Sequence, residues 1–380
     1  MNLFQKPYLL FFPFLIFSIF LLDKIFLLDI VRDHFIQPGG MLYYRQRKEQ
    51  IHRLRQMVLN KQIPDQDKLV LVLGDSRSFG LGMEVVKYLN IQNFSLWNFA
   101  GPQAVPAYHL YIAENILKFV NPDYFYIGIS PDAFNRNTGI FGLPVLSYGV
   151  DQEFIKEYRN LIPEKDYRIY LKTRKYALLG LQFSFKTLFK RLKNAILNPW
   201  EKHLKKFNLE YESLDEEEKK VIQTLISFQD ENLDFYIYEK SPQRKLLNYT
   251  QGAQYAWFGK MSEENLKKET EKLKNLYIKN FLISYEQLVF YQLLLEKIFK
   301  QNSKAIIFFP KVNPYLKKIY QTTPEIKYIQ DTIINITKQY KFTVVDFNED
   351  LVQCNDFYDA SHLSVSCFPE VLQILLKYHN

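Results

Sequence analysis

The chain has only two cysteines, Cys354 and Cys367, so cysteine alone cannot build a thiolate metal cluster, and no zinc-finger spacing occurs. A Walker-type loop, a basic zipper, an internal repeat and a low-complexity tract are also lacking. Glycine and proline are scarce, with 13 and 16 among 380 residues, which favours long packed elements over loop-rich repeats. No A-x-A-type cleavage site follows the apolar N-terminal run, and no lipobox cysteine is present. Both absences argue against a removed signal peptide or a lipoprotein anchor.

What is present is ordinary globular material. Hydrophobic residues make up 47% and charged residues 24%, enough apolar mass for a sizeable core, which excludes global disorder. The formal charge of +8 arises from 49 basic and 41 acidic residues spread along the chain, so a solvated, mildly basic surface is the better reading than a nucleic-acid patch. No nucleic-acid partner, metal or other cofactor is indicated.

Residues 8–22 are uncharged and apolar, and after Asp23 and Lys24 the pattern resumes with Ile25, Phe26, Leu27 and Leu28. Lys24 can snorkel and the continuation can complete a span, so residues 1–40 are expected to form a single-pass transmembrane anchor, with a buried core helix as the alternative. Lys6 alone precedes the run, whereas Arg45, Arg47, Lys48, Arg53 and Arg55 follow it, which by charge count would leave the main domain in the cytoplasm. The nearest charges, Asp23, Lys24, Asp29, Arg32 and Asp33, nearly cancel.

Leu42–Leu59 carries Leu and Met at helical spacing among basic residues, and 41–67 is expected to be a stalk helix with a solvated charged face. Strands are expected at Lys68–Leu73, 94–99, Tyr124–Gly128, Lys304–Phe309 and 342–347, with helices at 105–120, Tyr285–Lys300 and 324–340. Such alternation predicts an α/β fold with a parallel sheet covered on both faces. It fails between 148 and 279, where the chain is charged and helical in pattern, so the domain divides into 68–147 and 280–380 around a helical insertion that could form a lid. Within that insertion Ser213-Leu-Asp-Glu216 reads as a capping box, and 183–193 as a basic amphipathic helix.

Acyl-ester chemistry needs a nucleophile, a base, a carboxylate to orient the base, and donors for the oxyanion. Ser76, in Gly74-Asp75-Ser76, sits where a buried strand gives way to a helix, at the sheet edge where open α/β folds bind ligands. Asp359 and His362, in Asp-x-x-His, follow the last predicted strand, and residues three apart on a helical turn share a face. By chance the tripeptide recurs about once in ten chains of this length and Asp-x-x-His in nearly every second. The information lies in their joint placement. His109 is a rival base.

This arrangement resembles the SGNH or GDSL hydrolase superfamily, over roughly 68–140 and 285–380. The resemblance implies a three-layer fold in which Ser76 is the nucleophile, Asp359 and His362 its partners, and Gly101 an oxyanion donor beside the Ser76 amide. The third block departs from the family's Gly-x-Asn-Asp, reading Gly128-Ile-Ser130-Pro-Asp132, so Ser130 stands where the asparagine donor is expected and Pro131 would hold it extended. Arg77 could offer a cation to substrate or form a structural ion pair, and Asn135 is a further candidate for substrate contact.

An anchor joined to such a domain is similar in architecture to bacterial envelope proteins that assist polysaccharide O-acetylation or teichoic-acid D-alanylation beside membrane-bound O-acyltransferases. That implies an outward-facing enzyme that moves an acyl group between a donor and a glycan or other hydroxyl acceptor. A lipid or small-ester hydrolase and a non-catalytic partner of a membrane acyltransferase are the alternatives. Cys354 and Cys367, thirteen positions apart, would suit a disulfide in an oxidising compartment or two reduced core thiols.

Overall fold

In a computed structural model of the chain, residues 8–28, 31, 42–180, 189, 215–227 and 259–379 are described. In chain order these form α1 (Tyr8–Leu27), α2 (Leu42–Leu59), β1 (Lys68–Leu73), α3 (Met83–Tyr88), β2 (Phe94–Asn98), α4 (Pro106–Leu117) and β3 (Tyr124–Gly128). There follow α5 (Gln152–Glu157), α6 (Glu164–Lys175), α7 (Ala177–Gly180), α8 (Glu216–Ser227), α9 (Glu263–Leu273), α10 (Tyr285–Lys300) and β4 (Lys304–Phe309). The chain closes through α11 (Pro314–Thr322), α12 (Pro324–Gln339), β5 (Thr343–Asp346) and α13 (Phe368–Leu376).

The five strands form one sheet in the order β2-β1-β3-β4-β5, parallel throughout. After β1 leaves one face of the order to form β2, the chain returns to β1's other side to form β3, so a topological switch lies between β1 and β3, where open α/β sheets place their ligands. Leu69 to Leu73 of β1 and all of β3 are buried, as continuous Val/Leu/Phe/Tyr runs demand when helices cover both sheet faces. Leu71, Phe125 and Ile307 face a cluster with α4 and α10, whereas Val70, Val72 and Phe308 face one with α3 and α13.

Helix α2 departs from the expected stalk. Tyr44 and Leu54 are fully buried, and Arg47 is 2% exposed, its Nε donating to the Ala100 carbonyl at 2.9 Å and its guanidinium lying over the Tyr43 and Phe79 rings. The helical period was legible, but its buried face carries polar residues that bond to backbone, which charge pattern alone reads as solvated. The first described part of 148–279 also belongs to the core: Phe154, Ile155, Tyr158, Ile162 and Tyr170 join the α4–α10 cluster. Helix α8 opens on Asp215, whose carboxylate accepts from the Glu218 amide at 2.7 Å, while Ser213 lies outside the described residues, as does 183–193 apart from Phe189.

Among the described residues no helix is long and apolar enough to cross a membrane. Helix α1 nevertheless leaves Phe11, Phe12, Phe14, Ile16, Phe17 and Phe20 exposed. Its charged pair is where it meets the rest of the chain: Asp23 is buried and accepts from the Leu178 amide at the start of α7, while Lys24 bonds Asp23 and the Lys175 carbonyl.

Candidate active site

Ser76 follows β1 by three residues and opens a 3-10 turn, Ser76–Ser78, capped by Asp75, which accepts from the Arg77 amide at 2.9 Å. The turn is so tight against β3 that a Cβ on Gly74 would fall 2.2 Å from Ser78 Oγ, and one on Gly128 2.3 Å from the same atom. Only glycine fits at either place. The Ser76 amide, first in its turn, has no hydrogen-bond acceptor among the described residues, as is usual for a helix's leading N–H.

His362 reaches the nucleophile from the far end of the chain. Its Nε2 lies 2.8 Å from Ser76 Oγ, and its Nδ1 lies 2.8 and 2.9 Å from the two oxygens of Asp359. Asp359 Oδ1 also accepts the amides of Ser361 and His362, folding the segment into a turn that aims the ring. Burial opposes the Asp359 charge, but its bonds to His362 and to those amides outweigh burial and hold the carboxyl below its ordinary pKa. Asp359 thus stays ionised and accepts from Nδ1, an arrangement in which Nε2 faces the Ser76 hydroxyl.

The loop carrying this pair is held from several sides. Phe357 and Leu363 form an antiparallel bridge, and Cys354 and Cys367 outside it are joined by a disulfide with Cα atoms 5.5 Å apart. From within, Asn313, fully buried, donates to the Ala360 carbonyl at 2.6 Å while its oxygen caps α11 through the Tyr315 and Leu316 amides. From α8, Glu218 accepts from the hydroxyls of Ser364 and Ser366. Burial raises the Glu218 pKa, against those bonds.

The remaining expected site residues are turned to other work. Ser130 donates its hydroxyl to Asp75 at 2.5 Å, so its proton is not aimed at a developing oxyanion. The Gly101 amide donates to the Gly74 carbonyl at 3.0 Å, continuing the sheet's ladder. Asn135 donates to the Tyr277 carbonyl and accepts from the Leu282 and Asn137 amides, pinning a distant segment. Arg77 makes a bidentate pair with Asp132 at 2.9 and 2.8 Å, and Tyr320 donates to the same carboxylate. Burial disfavours both charges, yet each holds the other ionised, the guanidinium above and the carboxyl below its ordinary pKa. Of the two readings of Arg77, the structural pair is the one observed. His109 is buried on α4, and burial pushes its pKa down to about 4, only partly opposed by the Gly74 carbonyl that already accepts from Gly101. Among the described residues neither ring nitrogen makes a well-aligned hydrogen bond, the Gly74 carbonyl acting on the ring only from nearby, and the base position at Ser76 is held by His362.

The sequence patterns also passed over one backbone feature. Gln103, in the turn after β2 at the same sheet edge, has a left-handed φ of 54°, and its amide has no acceptor among the described residues. Glutamine carries no sequence signal for a left-handed backbone, which asparagine or glycine would have advertised.

Fold and site together define an α/β protein with a serine–histidine–aspartate relay at the carboxyl edge of a parallel sheet. Over residues 3–379 the chain matches a family described as a protein of unknown function, DUF1574, and it belongs to that family. No curated protein matches it.

Proposed function

We propose that this protein is a membrane-held serine acyltransferase or O-acyl esterase of SGNH type that acts on a glycan of the cell envelope. The observation that carries the reading is the unbroken relay from Ser76 Oγ through His362 to Asp359, with both links at 2.8 Å. In the forward step His362 Nε2 takes the Ser76 proton as Oγ attacks the acyl carbonyl. Asp359 then stabilises the imidazolium, which returns the proton to the departing alcohol. The acyl-enzyme is discharged by a glycan hydroxyl or by water in the mirror-image step. The Ser76 amide, which has no acceptor among the described residues, is the donor that supports the oxyanion in this reading.

The sheet order and the placement of Ser76 after the first strand and of Asp359 and His362 after the last favour the SGNH assignment. The Cys354–Cys367 disulfide suits an oxidising compartment, outside the cytoplasm. The exposed apolar side chains of α1 suit lipid contact, with Asp23 and Lys24 marking where the helix rejoins the domain. A second reading, a non-catalytic partner of a membrane-bound O-acyltransferase, draws support from the engagement of Gly101, Ser130 and Asn135 elsewhere.

Intact-mass measurement after exposure to p-nitrophenyl acetate separates the two. An acetyl adduct on wild-type protein that is missing from Ser76→Ala is the expected result, and no adduct on either favours the non-catalytic reading. Removal of residues 1–40 should release the protein from membranes, and a truncated form still wholly in the membrane pellet would count against α1 as the attachment.

A further inference from the structure

Helix α1 changes its surroundings at Asp23. From Phe11 to Leu22 every residue except Ser18 is exposed, on all sides of the helix, whereas Phe26 and Leu27 pack on Ala177 of α7. A helix apolar on every side needs an apolar surround on every side, which a bilayer supplies and a single docked protein face does not. Hydrogen bonds fix where the change occurs: the Leu178 amide donates to Asp23, and Lys24 donates to Asp23 and to the Lys175 carbonyl. The last of these brings the end of α6 to the same level.

Helix α6 is divided by charge. Its first turn holds Glu164 and Asp166, and its last turn holds Lys172, Arg174 and Lys175. All three cations are exposed, and none makes an ion pair among the described residues, whereas Lys24 is neutralised by Asp23 at 3.1 Å. The dipole of a helix favours cations at its end, but it does not call for the residue that follows. That residue is Tyr176, 44% exposed, with Lys24 Nζ 4.9 Å over its ring. Tyrosine gathers at membrane–water interfaces, where its ring and its hydroxyl each find their own medium.

We propose that the last turn of α6, with Tyr176, is a docking surface for anionic phospholipid headgroups at the level where α1 leaves the bilayer. It rests on the reading of α1 as the membrane attachment and adds which lipid the protein takes at that exit. The three cations lie within one turn, inside a Debye length of ~8 Å at physiological salt, and so act on the headgroup layer together. A zwitterionic headgroup carries its own ammonium and gains little from such a patch. An anionic one exchanges mobile counterions for fixed cations, worth about fivefold in affinity for each Lys or Arg at the surface.

The test is native mass spectrometry of the full chain in a neutral detergent, titrated with phosphatidylglycerol and, as the zwitterionic control, phosphatidylcholine. Wild type should bind phosphatidylglycerol about tenfold or more tighter, and Lys172→Gln/Arg174→Gln/Lys175→Gln should lose that preference with thermal unfolding unchanged. Lys267→Gln/Lys268→Gln/Lys272→Gln, at exposed positions of α9, removes the same charge elsewhere and should leave the preference intact. Equal binding of the two lipids by wild type, a preference kept by the α6 variant, or one lost equally by the α9 variant would each overturn the proposal. Glycerol 1-phosphate bound as tightly as the whole lipid would overturn it too, by making the patch a free-anion site. Whether α1 is the attachment is decided separately by removal of residues 1–40. A failed headgroup preference in a protein that still needs 1–40 to pellet with membranes therefore refutes the α6 surface alone.

Discussion

Ser76 Oγ and His362 Nε2 lie 2.8 Å apart although 286 positions separate them in the chain. Residues so coupled act as a unit, so their losses should not add. Ser76→Ala and His362→Ala are each expected to lower acyl-ester turnover about a thousandfold or more, and the double variant should be little worse than either. Steady-state rates on p-nitrophenyl acetate provide the check, and additive losses would mean the two groups act separately.

Asp359→Asn should preserve the loop while removing the charge that fixes the ring's tautomer, at a cost of about 10⁴ in kcat. The same carboxylate links stability to pH. Its folded pKa lies below the ordinary value of about 3.9, so the stability it contributes is complete above that value and is lost as pH falls through the depressed one. Urea unfolding of wild type and Asp359→Asn should therefore differ most near neutrality and converge in acid. A constant gap would exclude this linkage.

Arg77→Met should destabilise the protein by about 3–5 kcal/mol, because Asp132 would be left buried without its countercharge and Asp75 would lose the same cation. Arg77→Lys should recover little, since an ammonium cannot reproduce the two parallel bonds. Denaturant midpoints decide this, and a variant as stable as wild type would show that the pair contributes nothing net.

Ser130→Ala should act on stability, by about 1–3 kcal/mol, because the buried Asp75 oxygen loses its hydrogen bond and keeps only the Arg77 guanidinium 3.8 Å away. Turnover should fall far less than in Ser76→Ala. A loss approaching that of Ser76→Ala with unchanged stability would return Ser130 to the role of oxyanion donor.

Reduction of Cys354–Cys367, or its replacement by serines, should cost about 3 kcal/mol for a closed loop of this size. Turnover should fall too, because the loop bearing Asp359 and His362 is the one released. Dithiothreitol titration followed by unfolding and by rate measures both effects, and a reduced protein as stable as the oxidised one would contradict it.

Much of this architecture was legible because the signals are local. Continuous apolar runs mark strands buried on both faces, and Lys68–Leu73, Tyr124–Gly128 and Lys304–Phe309 occur with the bounds their patterns predict. Glycine before Ser76 marks a close approach that no side chain survives. The serine's place after the first strand and the Asp/His pair's place after the last follow from strand count alone, and parallel pairing then brings both to one edge. The fate of each polar group was not local. Whether the Ser130 hydroxyl meets an oxyanion or Asp75, whether Arg77 faces substrate or Asp132, and whether Arg47 is solvated or buried on Ala100 depend on partners contributed by segments distant in sequence. The same holds for Asn313 at the catalytic loop and for the left-handed Gln103. Apolar burial is non-directional and can be read from hydrophobicity and period. A hydrogen bond needs one donor aimed at one acceptor, and only the folded chain decides which acceptor lies within reach.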